Sequence, residues 1–397
     1  MSGFLTLLSV IAGFFLTLAF IYLFFWAVVF FIRPNKAEHK VVVPKTRFAF
    51  VVPAHNEEHG IKQTLQSLMA VDYPHKLFDV VVVADNCDDE TASIAKAAGA
   101  VVLERYSDEE RGKGFALKFA FQTLLPEDYD AFVVIDADSA VDSNFLAVID
   151  EYQQSGYEVV QTLDGILNPD ASPLTYLFHV GNVLENYLFY EAKWRLGIPA
   201  LLRGNGMCFS RQVLERFPWT AFSIVEDTEY TIKLIRASVD IPFATQTRVL
   251  AQQPETIMQA YSQRVRWASG NMKITKGYAL DLIREGITKK QIFLIDAGCS
   301  LLVMSKPLLI AINMLMIGLA TLNVLLFKAG GIVLAWALSL FFGFSVYLAS
   351  GVMVAGVDRN RLFYLVSTPV YLGWMLYVSL LGLVGYRSSA WVRTKRP

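Results

Sequence analysis

From Phe4 to Ile32 the chain is an almost unbroken apolar run with no charged residue. Crossing the hydrocarbon core of a bilayer takes roughly 20 such residues. In lipid a lone segment must satisfy its own backbone hydrogen bonds, so a helix is the fold open to it. No cationic segment precedes the run, and it is longer than a signal-peptide core, which predicts a retained membrane helix. Arg33, Lys36, Lys40, Lys45 and Arg47 follow directly. Basic flanks favour the cytoplasmic side, so the next domain is expected in the cytoplasm.

The C-terminal third repeats the pattern, with spans expected at about Leu308 to Phe327, Gly331 to Ala355 and Leu362 to Tyr386. Before them, Asp296 and Lys306 interrupt an apolar segment from Gln291 to Ser305. It is too short to span and is expected at the interface or against protein. Charges in such places also mark ion paths, which leaves open a transporter with a nucleotide-sensing domain. Counting spans puts Arg387, Arg393, Lys395 and Arg396 outside, whereas their charge prefers the cytoplasm. A re-entrant hairpin from Ile292 to Phe327 would reconcile the two. These features predict a multi-pass protein of the cell (inner or plasma) membrane. The net charge of −1 argues against nucleic acid as a partner. Cys87, Cys208 and Cys299 are too sparse for a disulfide framework or a metal-ligand spacing, which fits a reducing compartment.

Between Arg47 and about Gly270 the pattern changes. Phe48 to Val52, Val80 to Val83 and Ala131 to Ile135 read as strands buried on both faces. Helical segments separate them, at about Gly60 to Met69, Asp89 to Ala98 and Gly114 to Leu125. Alternation of this kind predicts an α/β domain with a parallel sheet, Rossmann-like in its layering. Ligands of such sheets bind beyond the carboxyl ends of the strands.

Those ends carry Pro53-Ala54-His55-Asn56-Glu57-Glu58, Ala84-Asp85-Asn86-Cys87-Asp88-Asp89 and Asp136-Ala137-Asp138. Acidic residues there also cap helices, and an Asp-x-Asp can be an ordinary turn. Three acidic ends on one edge, however, concentrate like charge unless a cation or basic group joins them. Asp136 and Asp138 suit a hard cation, Mg²⁺ or Mn²⁺, shared with substrate phosphates. Arg111-Gly112-Lys113-Gly114 opens a helix and places Lys113 for an anionic phosphate, or else is a solvated loop. It lacks the spacing of a Walker loop. Val225-Glu226-Asp227-Thr228 reads either as helix N-terminal acidity or as a general base for an acceptor hydroxyl. Gln263, Arg266 and Trp267 share one helical face, where Trp stacks on a sugar and Arg meets a diphosphate. The alternative is an amphipathic helix lying on the membrane. Leu174 to Trp194, rich in aromatics, reads as core or as the floor of a channel.

Taken in order, these motifs resemble the membrane-embedded family-two glycosyltransferases, which include cellulose, hyaluronan, chitin-oligosaccharide and poly-N-acetylglucosamine synthases. The resemblance implies a GT-A catalytic domain over 47–270. It would lie between a membrane helix (1–32) with its basic cytosolic linker (33–46) and an interfacial segment (271–305), a bundle of about three spans (306–386) and a basic tail (387–397). It implies that Pro53, Asn56, Glu57 and Asp85 hold the nucleoside of a UDP-sugar. Asp136 and Asp138 bind the metal, with Asp138 the direct ligand, and Asp227 beside Glu226 is the catalytic base. Gln263, Arg266 and Trp267 stand at the acceptor mouth. Val225 replaces the family's Thr. The implied reaction is inverting, metal-dependent transfer of a hexose or N-acetylhexosamine to a glycan, or alternatively a single transfer to a membrane lipid.

Overall fold

The computed structural model describes residues 2–34, 42–303 and 305–386. Lys36, Lys40 and the basic tail with Arg387, Arg393, Lys395 and Arg396 lie outside them. The core is one eight-stranded sheet in the order β3-β2-β1-β4-β7-β6-β8-β5. Strands β1 (Phe48–Ala54), β2 (Phe78–Asp85) and β4 (Ala131–Val134) run parallel, as the Val-rich runs predict, and a further strand, β3 (Val101–Arg105), pairs parallel to β2. The remaining strands are β5 (Ser139–Val141), β6 (Val159–Ile166), β7 (Met207–Ser210) and β8 (Phe243–Ala251). Here β7 is antiparallel to both β4 and β6, while β6 runs parallel to β8. The sheet is therefore mixed, and its second half carries no long Val run to announce it.

Successive residues of a strand face opposite sides, and β1 divides accordingly. Phe48, Phe50 and Val52 join a core with α2 (Ile61–Met69), α3 (Thr91–Ala97) and α5 (Phe145–Gln154). Ala49 and Val51 face α4 (Lys113–Leu124), α8 (Arg211–Arg216) and α9 (Glu226–Arg236). That second core continues without a break into α1 (Ser2–Ile32) through Leu16, Leu23 and Trp26. Leu174 to Trp194 supplies the joint. It forms α6 (Pro173–Glu185), a π-helical turn (Asn186–Glu191) and α7 (Ala192–Arg195), and it is core.

The long helix α10 (Ile257–Lys289) starts at a capping box between Thr256 and Gln259. It runs straight through residue 270, so the expected domain limit falls inside one helix. The next segment, α11 (Ile292–Leu302), folds back on it. A Cβ on Gly298 would lie 2.5 Å from the Ala279 carbonyl oxygen, so the two helices touch backbone to backbone there. Among the described residues, four stretches are long and apolar enough to cross a membrane. They are α1, α12 (Lys306–Phe327), α13 (Gly331–Ala355) and the stretch Arg359–Leu383. The last comprises α14 (Arg359–Tyr364), a short 3-10 turn and α15 (Thr368–Leu383). Pro369 opens α15, a first-turn position where its missing N–H costs nothing. Asp296 and Lys306 are both paired. Asp296 accepts from Lys193 Nζ (2.8 Å) and Tyr22 Oη (2.6 Å), and Lys306 pairs with Glu185.

Candidate active site

The carboxyl ends of β1, β2 and β4 form one edge, as the sequence implies. Asn56 (φ 56°) and Asn86 (φ 51°) both adopt the left-handed conformation, which Asn tolerates better than most residues. Their side chains hold the turns: Asn56 Oδ1 accepts from the Asp88 N–H (3.0 Å) and Asn86 Oδ1 from the Ser107 N–H (2.9 Å). Asp85 is fully buried. Its Oδ1 accepts from Arg105 (2.7 Å) and from Asn86 (3.1 Å), while its Oδ2 has no hydrogen-bond partner among the described residues. A buried carboxylate oxygen left this way asks for an N–H donor. Burial raises the Asp85 carboxyl above its usual range, against the lowering pull of Arg105.

Lys113 is the cation that the acidic edge requires. It opens α4 as expected, but its ammonium is engaged within the fold. Nζ lies 2.5 Å from Asp136 Oδ1, 2.5 Å from the Gly204 carbonyl oxygen and 3.6 Å from Glu226. Burial alone would lower its affinity for a proton. The carboxylates of Asp136 and Glu226 outweigh that and keep it charged. Gly114 follows because a Cβ there would sit 2.3 Å from the Ala221 carbonyl oxygen.

Glu226 and Asp227 occupy the first turn of α9. Val225 precedes them without a side-chain cap and packs instead near Gly270 of α10. Burial pushes Glu226 up to about 7, opposed by Lys113, and raises Asp227 as well. Asp227 Oδ1 accepts from the Thr228 N–H at 2.6 Å. Its other oxygen borders Gly204, where a Cβ would stand 3.2 Å away.

The sequence did not reveal how much rests on the loop Arg203-Gly204-Asn205-Gly206. Asn205 is buried. Its Oδ1 accepts from the Asp136 N–H (3.1 Å) and its Nδ2 donates to Ser139 Oγ (2.9 Å). Ser139 Oγ in turn donates to Asp138 Oδ1 at 3.1 Å. Gln161 Nε2 holds the Asn205 carbonyl (2.8 Å) and its Oε1 accepts from the Arg203 N–H (2.9 Å). Arg203 pairs with Asp164 at 3.5 Å and with Glu185 at 3.8 Å. Burial pushes Asp164 up to about 6, with Arg203 pulling the other way. The one available signal was the pair of glycines around Asn205.

The expected residues thus form three groups. Asp136, Asp138, Lys113, Glu226 and Asp227 converge. Pro53, Asn56, Glu57 and Asp85 line the adjoining edge. Gln263, Arg266 and Trp267 lie on α10, where burial lowers Arg266's proton affinity and Glu226 raises it. Among the described residues no group of three His, Cys, Asp or Glu is placed to hold a metal ion. Two carboxylates fit a Mg²⁺ or Mn²⁺ that takes its other ligands from phosphate and water, and fit poorly a metal caged by protein alone.

A solved structure with the same fold is a mannosyltransferase from Pyrobaculum calidifontis in complex with GDP-mannose and Mn²⁺. It superposes at a TM-score of 0.62 and 18% identity, over 95% of this chain and 99% of that one. The architecture is thus the GT-A fold with flanking apolar helices. Residues 44–270 match the family described as "Glycosyltransferase like family 2", and the chain belongs to that family. Among curated relatives, a probable glycosyltransferase (YdaM) of Bacillus subtilis is 26% identical, over 61% of this chain and 58% of that protein. A beta-monoglucosyldiacylglycerol synthase of a Nostoc species is 29% identical, over 61% and 52% respectively. A poly-beta-1,6-N-acetyl-D-glucosamine synthase of Staphylococcus epidermidis is 23% identical, over 60% and 57%. The match therefore spans little more than half the length of these relatives.

Proposed function

We propose that the protein transfers a hexose or N-acetylhexosamine, with inversion, from a UDP-sugar to an acceptor hydroxyl at a membrane. The observation that carries this reading is the Lys113 bridge. One ammonium ties Asp136, on the donor side, to Glu226 and its neighbour Asp227, on the acceptor side. Asp85 Oδ2 is free to accept an N–H of the base, within the pocket edge made by Pro53, Asn56 and Glu57. Asp136 and Asp138 would hold Mg²⁺ or Mn²⁺, which supplies positive charge to the departing diphosphate. Asp227 takes the proton of the incoming hydroxyl as it attacks the anomeric carbon. Burial brings its basicity nearer to neutral pH, which suits a general base. Gln263, Arg266 and Trp267 orient the acceptor. The soluble domain and its site are assigned to the cytoplasmic face by the basic flank after α1.

One observation favours a lipid acceptor over a growing glycan. The span α15 packs hard on α10 beside Trp267, where a Cβ on Gly382 would lie 2.9 Å from the Ala268 carbonyl oxygen. A polymer leaving past Trp267 would have to part these helices. A lipid approaching from the bilayer would not.

Asp227→Asn should cut transfer by a factor of roughly 10² to 10⁴ while UDP still binds. The assay is UDP release from a panel of UDP-sugars, with and without Mn²⁺, followed by product sizing. Near-normal turnover in the variant would remove the base assignment. A product longer than one added sugar would favour the glycan.

A further inference from the structure

Arg264 belongs to none of the groups above. It lies on α10 beside Gln263 and under Trp267, among other groups than those that surround Arg266. Arg266 answers to Glu226, whereas the groups that act on Arg264 are Tyr371 on α15 and Asp164 on β6. Its guanidinium is clasped by two rings, 3.9 Å from the centroid of Phe178 on α6 and 4.9 Å from that of Trp267. Nη2 donates to Gln253 Oε1 at 2.9 Å, and Nε is buried without a partner among the described residues. Among the described residues no carboxylate pairs with it, for Asp164 is taken by Arg203. Ring faces and one neutral amide are incomplete compensation for a charge drawn out of water.

Two further buried atoms nearby lack partners among the described residues: Trp374 Nε1, on α15, and Gln263 Oε1. Phe178 joins them, since its ring stands 6.3 Å from Trp374 and 5.9 Å from Tyr371. Three helices thus enclose an uncompensated cation, an idle N–H and an idle carbonyl among aromatic faces. One of the three, α15, belongs to a stretch long and apolar enough to cross a membrane.

We infer that Arg264, Trp374 and Gln263 seat the phosphate-bearing head of a membrane lipid, with its tails beside α15. The anion neutralises the guanidinium and accepts from Arg264 Nε and Trp374 Nε1. A protonated oxygen of the same phosphate donates to Gln263 Oε1. The apolar third wall selects a lipid phosphate over a free one. This rests on the reading of α10 as the acceptor side, and it names the acceptor's class as a phosphate-bearing amphiphile.

The test uses the full chain in detergent micelles, titrated with dioctanoyl phosphatidic acid, with dioctanoylglycerol and with inorganic phosphate. Thermal unfolding and tryptophan fluorescence are followed. Phosphatidic acid alone is expected to raise the melting temperature and perturb the fluorescence of Trp267 and Trp374. Arg264→Gln should weaken that response roughly 10- to 100-fold, and Arg264→Lys, which keeps the charge, should weaken it less. Should Arg264→Gln fail to fold, the wild-type chain still decides. Phosphatidic acid should protect Arg264 from phenylglyoxal, as mapped by mass spectrometry, and absence of protection overturns the proposal. An equal response to dioctanoylglycerol reduces the site to apolar packing, and an equal response to inorganic phosphate makes it a free-anion site. Either result refutes the lipid seat. UDP binding by the same wild-type sample reports on the nucleotide site separately, so a failure of the glycosyltransferase reading is distinguishable.

Discussion

Asn205→Ala removes a side chain that touches no substrate in the proposed reaction, yet it should weaken both the fold and the proposed metal clamp. Asn205 holds the Asp136 N–H (3.1 Å) and Ser139 Oγ (2.9 Å), and only 3% of it is exposed. Alanine leaves the Asp136 N–H with no acceptor, at a cost of about 1–3 kcal/mol, and deletes a second bond worth about 1 kcal/mol. The sum, about 2–4 kcal/mol, corresponds to a fall in melting temperature of roughly 5–15 °C for a domain of this size. The same change frees Ser139, which donates to Asp138 Oδ1 at 3.1 Å, so the backbone that carries Asp136 and the side chain of Asp138 both lose a hydrogen bond that positions them. Loss of such outer-shell contacts typically weakens metal binding about 10- to 100-fold. The assays are thermal unfolding without metal, and the Mn²⁺ concentration that half-saturates UDP release from the best UDP-sugar. An unchanged melting temperature would refute the hydrogen-bond argument. A lowered melting temperature with unchanged Mn²⁺ dependence would show that the loop serves only the fold.

Two further outcomes follow from the same geometry. Gly206 sits at φ +67° with its missing Cβ 2.2 Å from Thr162 Oγ1, so Gly206→Ala should destabilise by roughly 3 kcal/mol or more, read from chemical unfolding. Glu226, raised by burial from 4.5 to about 7, favours its neutral form in the folded state. Its contribution to stability is complete below pH 4.5 and is lost as the pH rises through about 7, on the order of 3 kcal/mol in all. Glu226→Gln should therefore flatten the decline in stability between pH 5 and 8, and an unaltered slope would place the titration elsewhere.

How much of this was legible in the sequence depended on how locally each feature is encoded. The strands β1, β2 and β4 were readable because strands buried on both faces need unbroken Val, Ile and Phe. The aspartates after them were readable because strand ends are where such sheets bind ligands. The antiparallel β7, and β6 and β8 beside it, were not. Their runs mix Gln, Thr and Arg with apolar residues, and their partners are set by pairing at a distance. Lys113 was expected to face a phosphate, and what changes its meaning is Glu226, far along the chain, arriving within 3.6 Å. The partners of Asn205 and Gln161 were invisible for the same reason. A buried amide is recognised by the two partners it joins, and neither adjoins it in sequence. Glycines offered a weak signal, since Gly114, Gly204 and Gly206 mark backbone approaches that a single chain of letters does not resolve.

The continuity of α10 bears on how such a protein can be divided. The family match ends at residue 270, where the helix still has nineteen residues to run, to Lys289. A chain cut there would strip Ala279, Leu282 and Gly286 from the packing with α11 and leave Val225, at the threshold of α9, against a frayed end. The next natural joint is Lys290, whose left-handed backbone (φ 56°) ends the helix. The α/β domain and the apolar helices are thus spliced by a shared rod, and exchange between relatives would succeed only when the junction is moved beyond it.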